Sequence, residues 1–123
     1  MREIDLGGVK FAVEYRRFKG ERGPAIRVFG EVDGKEVQLL RFDCFDDDPH
    51  YHYDPQGKNQ IFHLDPLTMG SPLDFSLQQI GRNLRAMIKK AGFPQAASTF
   101  KEEDVPRSVD EIRGAVQAEE AGE

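Results

Sequence analysis

The chain contains little cysteine and no long apolar run. Cys44 is the one cysteine among 123 residues, which excludes an internal disulfide and indicates a reducing compartment. No apolar run approaches the roughly 20 residues that a membrane-spanning helix needs. The charged N-terminal sequence MREIDL also lacks the apolar core of a secretory signal peptide. We therefore expect a cytoplasmic protein without a membrane partner.

The charge balance argues against a dedicated nucleic-acid-binding protein. The formal net charge is −5 and the sequence pI is about 5.2. Five basic residues nevertheless fall in the first third of the chain: Arg16, Arg17, Lys19, Arg22 and Arg27. Nucleic acid is thus an unlikely partner for the whole chain, although a local basic patch is not excluded.

Alternating apolar and polar residues predict an antiparallel sheet of about five strands. The segments with this period-2 pattern or with short β-type runs are 9–18, 25–32, 35–45, 50–53 and 61–64. The intervening sequence GERGP should break the alternating pattern between the first two segments. Asp33-Gly34 predicts a two-residue hairpin turn. The apolar parity changes at Leu39–Leu40, which indicates a bulge or a strand buried on both faces.

The clearest local signal predicts a helix over residues 72–91. Ser71 is suited to the N-cap, Pro72 to the first helical position, and Gly92 to the end of the helix. Apolar residues recur at helical spacing along one side: Leu73, Leu77, Ile80, Leu84, Met87 and Ile88. With this helix packed on one face of the sheet, the expected fold class is α+β.

Beyond Pro94 the sequence consists mainly of small, polar and acidic residues. We expect a single domain over residues 1–94 and a flexible, loosely ordered acidic tail over 95–123. A short helix over 108–118 is conceivable from its apolar spacing, but Gly114 weakens it and so short a helix is marginal without docking.

All three histidines lie within fourteen residues, close to several aspartates. His50 and His52 occupy positions i and i+2 of a predicted strand, so they project from the same face. With His63 from the neighbouring strand, they predict a site for a divalent metal such as zinc, with Asp43 and Asp48 as further ligands. The same three histidines are also candidate catalytic acid–base residues, because the imidazole pKa lies near neutrality.

The strand register decides whether three imidazoles can meet. His63 shares a face with the other two if it pairs with His50 or His52, and lies on the tyrosine face if it pairs with Tyr51. Three interpretations stay open. The histidines line a polar strand face without further function, they hold a metal, or they form a metal-free acid–base pair acting on a phosphodiester or similar substrate.

The opposite strand face supplies an alternative function of a different class. Tyr51, Tyr53 and Phe62 could form an exposed aromatic surface on the sheet. In that case the chain would be a non-catalytic interaction module that contacts a protein partner or a second copy of itself.

Two resemblances follow from residues 39–92. The sequence RFDCF, followed by PHYHYDP and an N-capped helix, resembles a family of small uncharacterised bacterial proteins, which implies a fold but no activity. More loosely, Arg41-Phe42-Asp43 with the three histidines is similar to the toxins of certain bacterial toxin–antitoxin pairs. Those toxins commonly carry Asn after the Asp, where this chain has Cys44, and their histidines are denser.

Overall fold

A six-stranded antiparallel sheet organises residues 1–122, which are the residues that the computed structural model describes. The strands lie side by side in chain order: β1 Arg2–Asp5, β2 Val9–Phe18, β3 Glu21–Val32, β4 Lys35–Asp43, β5 His50–Tyr53 and β6 Gln60–His63. The expected α+β class with an antiparallel sheet is confirmed. The additional strand is β1, which has one buried residue, Ile4, and is too short to show an alternating pattern.

The hairpin between β2 and β3 is longer than the sequence indicates. Lys19 and Gly20, with φ of 51° and 81°, form its turn, and β3 then runs from Glu21 straight through the expected break at GERGP. Gly23 makes this possible because a side chain there would collide with the backbone oxygen of Cys44. The predicted bulge is confirmed, because the β3–β4 register shifts beside Leu39.

Three helices cover one face of the sheet. Helix α1 spans Pro72–Lys90, in agreement with the prediction, and the Ser71 hydroxyl accepts a hydrogen bond of 3.2 Å from the Asp74 backbone N–H. Its apolar stripe is buried against the sheet. Helix α2 spans Pro94–Ala97, and α3 spans Val105–Ala121 after a short 3-10 turn.

Helix α3 corrects the expectation of a loosely ordered tail. It packs on β1, β2 and α1, and its inward residues are buried: Val105, Ser108, Ile112, Ala115 and Val116. The helix is also longer than the segment 108–118. Docking explains both differences, because burial of this narrow apolar face outweighs the cost of Gly114, where a Cβ would meet nothing within 4 Å.

The two faces of the sheet differ sharply in chemistry. Tyr51, Tyr53 and Phe62 lie on the face that packs against the helices, and Tyr53 is 7% exposed. Tyr51 and Phe62 are half-buried against the core, so the three aromatic residues expose only part of their surface, and contact with a protein partner or a second copy through this face stays a prediction. The opposite face, called the polar face below, carries Glu14, Arg16, Arg27, Arg41, Asp43 and the three histidines.

Among residues 1–122, no helix combines the length and apolar character needed to span a bilayer.

A candidate metal centre on the polar face

The strand register brings the three histidines to the same face. His63 pairs directly with His50, and His50 pairs with Asp43 on β4. The ring centroid of His50 lies 4.9 Å from that of His52 and 5.5 Å from that of His63. The tyrosine-face register for His63 is thus excluded, and the imidazoles form one continuous group.

The carboxylate of Asp43 is the centre of the inner part of this group. Its side chain has 0% exposure. Its Oδ2 accepts from Nε of Arg41 at 3.0 Å and lies 3.1 Å from Nε2 of His50, while Oδ1 accepts from Nη1 of Arg16 at 3.2 Å. Burial alone would raise the pKa of the Asp43 carboxyl, but the hydrogen bond from His50 and the Arg41 charge outweigh it and hold the pKa well below its usual range. Asp43 is therefore an anion with its acceptor positions filled.

His52 is locked by Asn59 and Arg41. Its Nδ1 lies 2.7 Å from Oδ1 of Asn59. Its Nε2 lies 3.0 Å from Nη2 of Arg41 and 3.1 Å from Oδ2 of Asp43. Arg41 thus contacts both Nε2 of His52 and Oδ2 of Asp43. The guanidinium occupies the position that a cation would take between them.

His50 has an acceptor at each ring nitrogen. Nε2 faces Oδ2 of Asp43 at 3.1 Å, and Nδ1 faces the backbone oxygen of Asp48 at 2.8 Å. Only the imidazolium form donates at both positions. Accordingly, the hydrogen bond to Asp43 raises the pKa of His50 against the lowering effect of burial, and the Asp48 carbonyl adds to the rise.

Asp48 and His63 form the outer part of the group with His50. Oδ1 of Asp48 lies 2.9 Å from Nδ1 of His63, and Oδ2 lies 3.9 Å from Nδ1 of His50. The side chains of His63 and Asp48 are 64% and 53% exposed. One ligand atom from each of the three residues lies within 4.8 Å of the others. This outer set is therefore open to solvent at Asp48 and His63.

The five residues singled out from the sequence thus fall into two sets that share His50. The inner set is Asp43, His50 and His52, and the outer set is Asp48, His50 and His63. Both sets have the composition and spacing of metal-ligand groups, and they differ in burial. The structure does not gather all three imidazoles around one point.

Three residues that shape the site were not among the site residues predicted from the sequence: Arg41, Arg16 and Asn59. Arg41 lies two positions before Asp43 on the same strand, so strand parity could have placed it beside the carboxylate. Arg16 and Asn59 reach the site through strand pairing and a turn. Their positions follow from the register of the folded sheet, for which the sequence holds no local signal.

The chain belongs to a protein family described as Domain of unknown function (DUF7700), whose family model matches residues 3–116. The match covers the sheet except Arg2, and it includes α1 and most of α3. The suspected membership in an uncharacterised domain family is therefore confirmed. No curated protein and no solved structure matches the chain.

Proposed function

We propose that the outer set of Asp48, His50 and His63 binds a divalent cation, with zinc as the best-suited ion. The observation that carries the proposal is the orientation of His50. Its Nε2 is bonded to the buried carboxylate of Asp43 at 3.1 Å, which leaves Nδ1 on the side of the outer set, 3.9 Å from Oδ2 of Asp48. A metal-binding histidine in proteins usually donates its other ring N–H to a carboxylate in this way, which fixes the ring and strengthens the ligand. Zinc would replace the proton by which Nδ1 bonds the Asp48 backbone oxygen at 2.8 Å, so binding would release that proton and break that hydrogen bond.

The inner set is the poorer site for a cation. Arg41 and Arg16 already neutralise Asp43, and Nη2 of Arg41 lies 3.0 Å from the nitrogen of His52 that would have to bind the ion. A second cation there would be repelled by two guanidinium groups at close range. In this proposal Asp43 and His52 hold the His50 ring in place, and Asp48 binds the cation directly.

The donor set favours zinc over harder ions. Two imidazoles and one carboxylate are ligands that Zn²⁺ prefers, whereas Mg²⁺ and Ca²⁺ prefer oxygen donors. Ligands about 2.0–2.2 Å from a tetrahedral zinc lie roughly 3.3–3.5 Å from each other. Oδ1 of Asp48 lies 2.9 Å from Nδ1 of His63 and Oδ2 lies 3.9 Å from Nδ1 of His50, so the side chains of Asp48 and His63 would have to move to bring one oxygen and both nitrogens to that spacing.

Three protein ligands would leave one coordination position for water. Zinc lowers the pKa of a bound water to about 7, so hydrolysis is the chemistry for which such a centre is suited. Because the side chains of Asp48 and His63 are exposed, that position would lie at the surface of the sheet. Substrate would approach across the polar face, past the guanidinium groups of Arg41 and Arg16.

Isothermal titration of chelator-treated protein with Zn²⁺ tests the proposal. We expect one site per chain, and we expect Asp48→Asn and His63→Gln each to weaken binding by at least tenfold, since each removes a ligand. Asp46→Asn is the matched control, because Asp46 is an exposed aspartate of the same loop outside both sets. Absence of saturable binding, or equal affinity in all four proteins, would refute the zinc proposal.

A second candidate function needs no metal. The hydrogen bond from Nδ1 of His63 to Asp48 leaves the lone pair of Nε2 available to solvent, as in a histidine acting as a general base. This alternative predicts hydrolytic activity that survives chelation and is lost in His63→Gln. Activity on phosphodiester or ester substrates that disappears with chelator and returns with Zn²⁺ would rule it out.

A further inference from the structure

We propose that β6 is the interface of a homodimer, in which the β6 strands of two copies pair antiparallel and join the two sheets into one. Within residues 1–122, β6 is the last strand of the sheet and pairs with β5 alone. The pairing uses the backbone of β6 and none of the side-chain ligands of the zinc site. It therefore stands or falls independently of metal binding.

Two residues of β6 direct their backbone N–H and C=O groups away from the sheet. Leu64 donates to the backbone oxygen of Pro49 at 3.0 Å, so Leu64 and, two residues earlier, Phe62 bond toward β5. The backbone groups of the alternate residues, Ile61 and His63, therefore point outward. Within residues 1–122, neither has a backbone hydrogen bond to a turn or loop. A further strand at this edge would satisfy these groups.

The sequence of β6 lacks the features by which proteins usually protect an edge strand. Its four residues, QIFH, include no lysine, proline or acidic residue, and Ile61 is 42% exposed. The other edge strand, β1, has the sequence REID. There Glu119 of α3 lies 3.0 Å from the N-terminal amine and 3.5 Å from Nε of Arg2. The two edges thus differ, because charge and α3 protect β1 while β6 is open to pairing.

A two-fold axis at Phe62 gives the register of the pairing. Ile61 of each copy then lies opposite His63 of the other, so the outward-pointing backbone groups of both strands meet each other. The Phe62 residues of the two copies form a non-hydrogen-bonded pair, in which the Cα atoms are about 4.5 Å apart. On the polar face, each copy places an apolar side chain, Ile61, beside the His63 ring of the other.

Phe62 would extend an aromatic cluster across the interface. Its half-buried ring is stacked on Tyr51, with centroids 4.8 Å apart and an interplanar angle of 19°, and lies 4.7 Å from Tyr53. In the dimer the two Phe62 rings meet on the face that packs against the helices. Directly opposed aromatic residues stabilise antiparallel strand pairs, and this pair would cover the exposed part of the cluster.

The charges that flank β6 are complementary under this axis. Lys58 precedes the strand and Asp65 follows it, so the axis brings Asp65 of one copy to the end at which Lys58 of the other lies. Both side chains are exposed, and no ion pair occupies either of them within residues 1–122. The pairing sets no like charges opposite each other. This complementarity favours a second copy of the chain as the occupant of the edge.

Sedimentation velocity of the intact chain from about 1 to about 200 μM tests the proposal. We expect a dimer that dissociates on dilution, because so short a strand pair makes a small interface. Ile61→Lys adds an edge charge and should raise the dissociation constant at least about tenfold. Phe18→Lys, the same kind of change at an exposed phenylalanine of the β2–β3 hairpin, is the matched control and should dimerise as the wild type does.

Cysteine cross-linking tests the register. Under mild oxidation Phe62→Cys should form a covalent dimer, because its Cα atoms come within disulfide range across the axis. Ile61→Cys should cross-link far more slowly, because it faces His63 of the second copy. Cys44 is 4% exposed, so it contributes little background.

The dimer should persist in chelator and in Asp48→Asn, which separates it from the zinc proposal. A dimer that chelator dissociates would show zinc between the copies in place of strand pairing, and would overturn the inference. It is likewise overturned if the wild type stays monomeric over the whole range, if Ile61→Lys dimerises as tightly as the wild type, or if folded Phe62→Cys gives no cross-link.

Discussion

Nε2 of His50 lies 3.1 Å from Oδ2 of Asp43, the carboxylate at the centre of the polar face. This contact holds the imidazole so that its other nitrogen points toward Asp48 and His63. It also connects the buried part of the cluster, which contains two arginines, to the exposed part. In the proposed metal centre, the distinction between residues that support His50 and residues that bind the ion depends on this bond.

Asp43→Asn should destabilise the fold by about 3 kcal/mol, because it leaves the charges of Arg16, Arg41 and His50 without their shared counter-charge. Urea unfolding of the variant and the wild type measures the difference. Asp46→Asn, which removes an exposed carboxylate three residues away, should change the stability by less than about 0.5 kcal/mol. Equal losses in both variants would contradict the central position of Asp43.

The stability of the wild type should be highest between about pH 4 and pH 6.5. The pKa of Asp43 is lowered in the folded state, so its contribution is complete above the unfolded pKa of about 3.9 and is lost as the pH falls. The pKa of His50 is raised, so its contribution is complete below about 6.5 and is lost as the pH rises through the folded pKa.

Thermal unfolding at a series of pH values between about 3 and 9 checks this profile. Asp43→Asn should flatten both sides of it, because the variant removes the Asp43 carboxyl and the Asp43–His50 contact that contributes to both pKa shifts. A variant profile with the same curvature as the wild type would show that other groups produce the pH dependence.

Ile112→Ala should destabilise the fold by about 2–5 kcal/mol, since Ile112 is fully buried where α3 packs on the sheet. The measurement is again urea unfolding, with Glu111→Ala as the neighbouring exposed control. A loss below about 0.5 kcal/mol would mean that α3 contributes little to the stability of the core.

The elements with complete local signals were predicted well from the sequence. Helix α1 has a cap, a proline at its start and an unbroken apolar stripe, and each of these acts within a few residues. Helix α3 has fewer apolar residues and contains a glycine, and it becomes stable only when Ile112 and Val116 are buried against the sheet. Strand β1 likewise depends on pairing with β2.

The same distinction holds for the site. Strand parity was enough to place His50 and His52 on one face, because it is a local property. The pairing of His63 with His50 depends on the turn at 54–59, where Asp54 and Asn59 both adopt positive φ. Arg16 reaches Asp43 from 27 residues away, across the whole of β3. In the proposed metal centre, these long-range contacts decide which histidines would bind the ion and which would support them, and the sequence pattern contains no signal for these contacts.

Long-range ¹H–¹⁵N correlation spectra of the imidazole rings, recorded with and without Zn²⁺, test the central claim most directly. The proposed centre predicts that the resonances of Nδ1 of His50 and of the His63 ring shift on zinc addition, while those of His52 stay in place between Asn59 and Arg41. Shifts at His52 equal to those at His50 would assign the metal to the inner set. Unchanged resonances at all three rings would contradict the proposed metal centre.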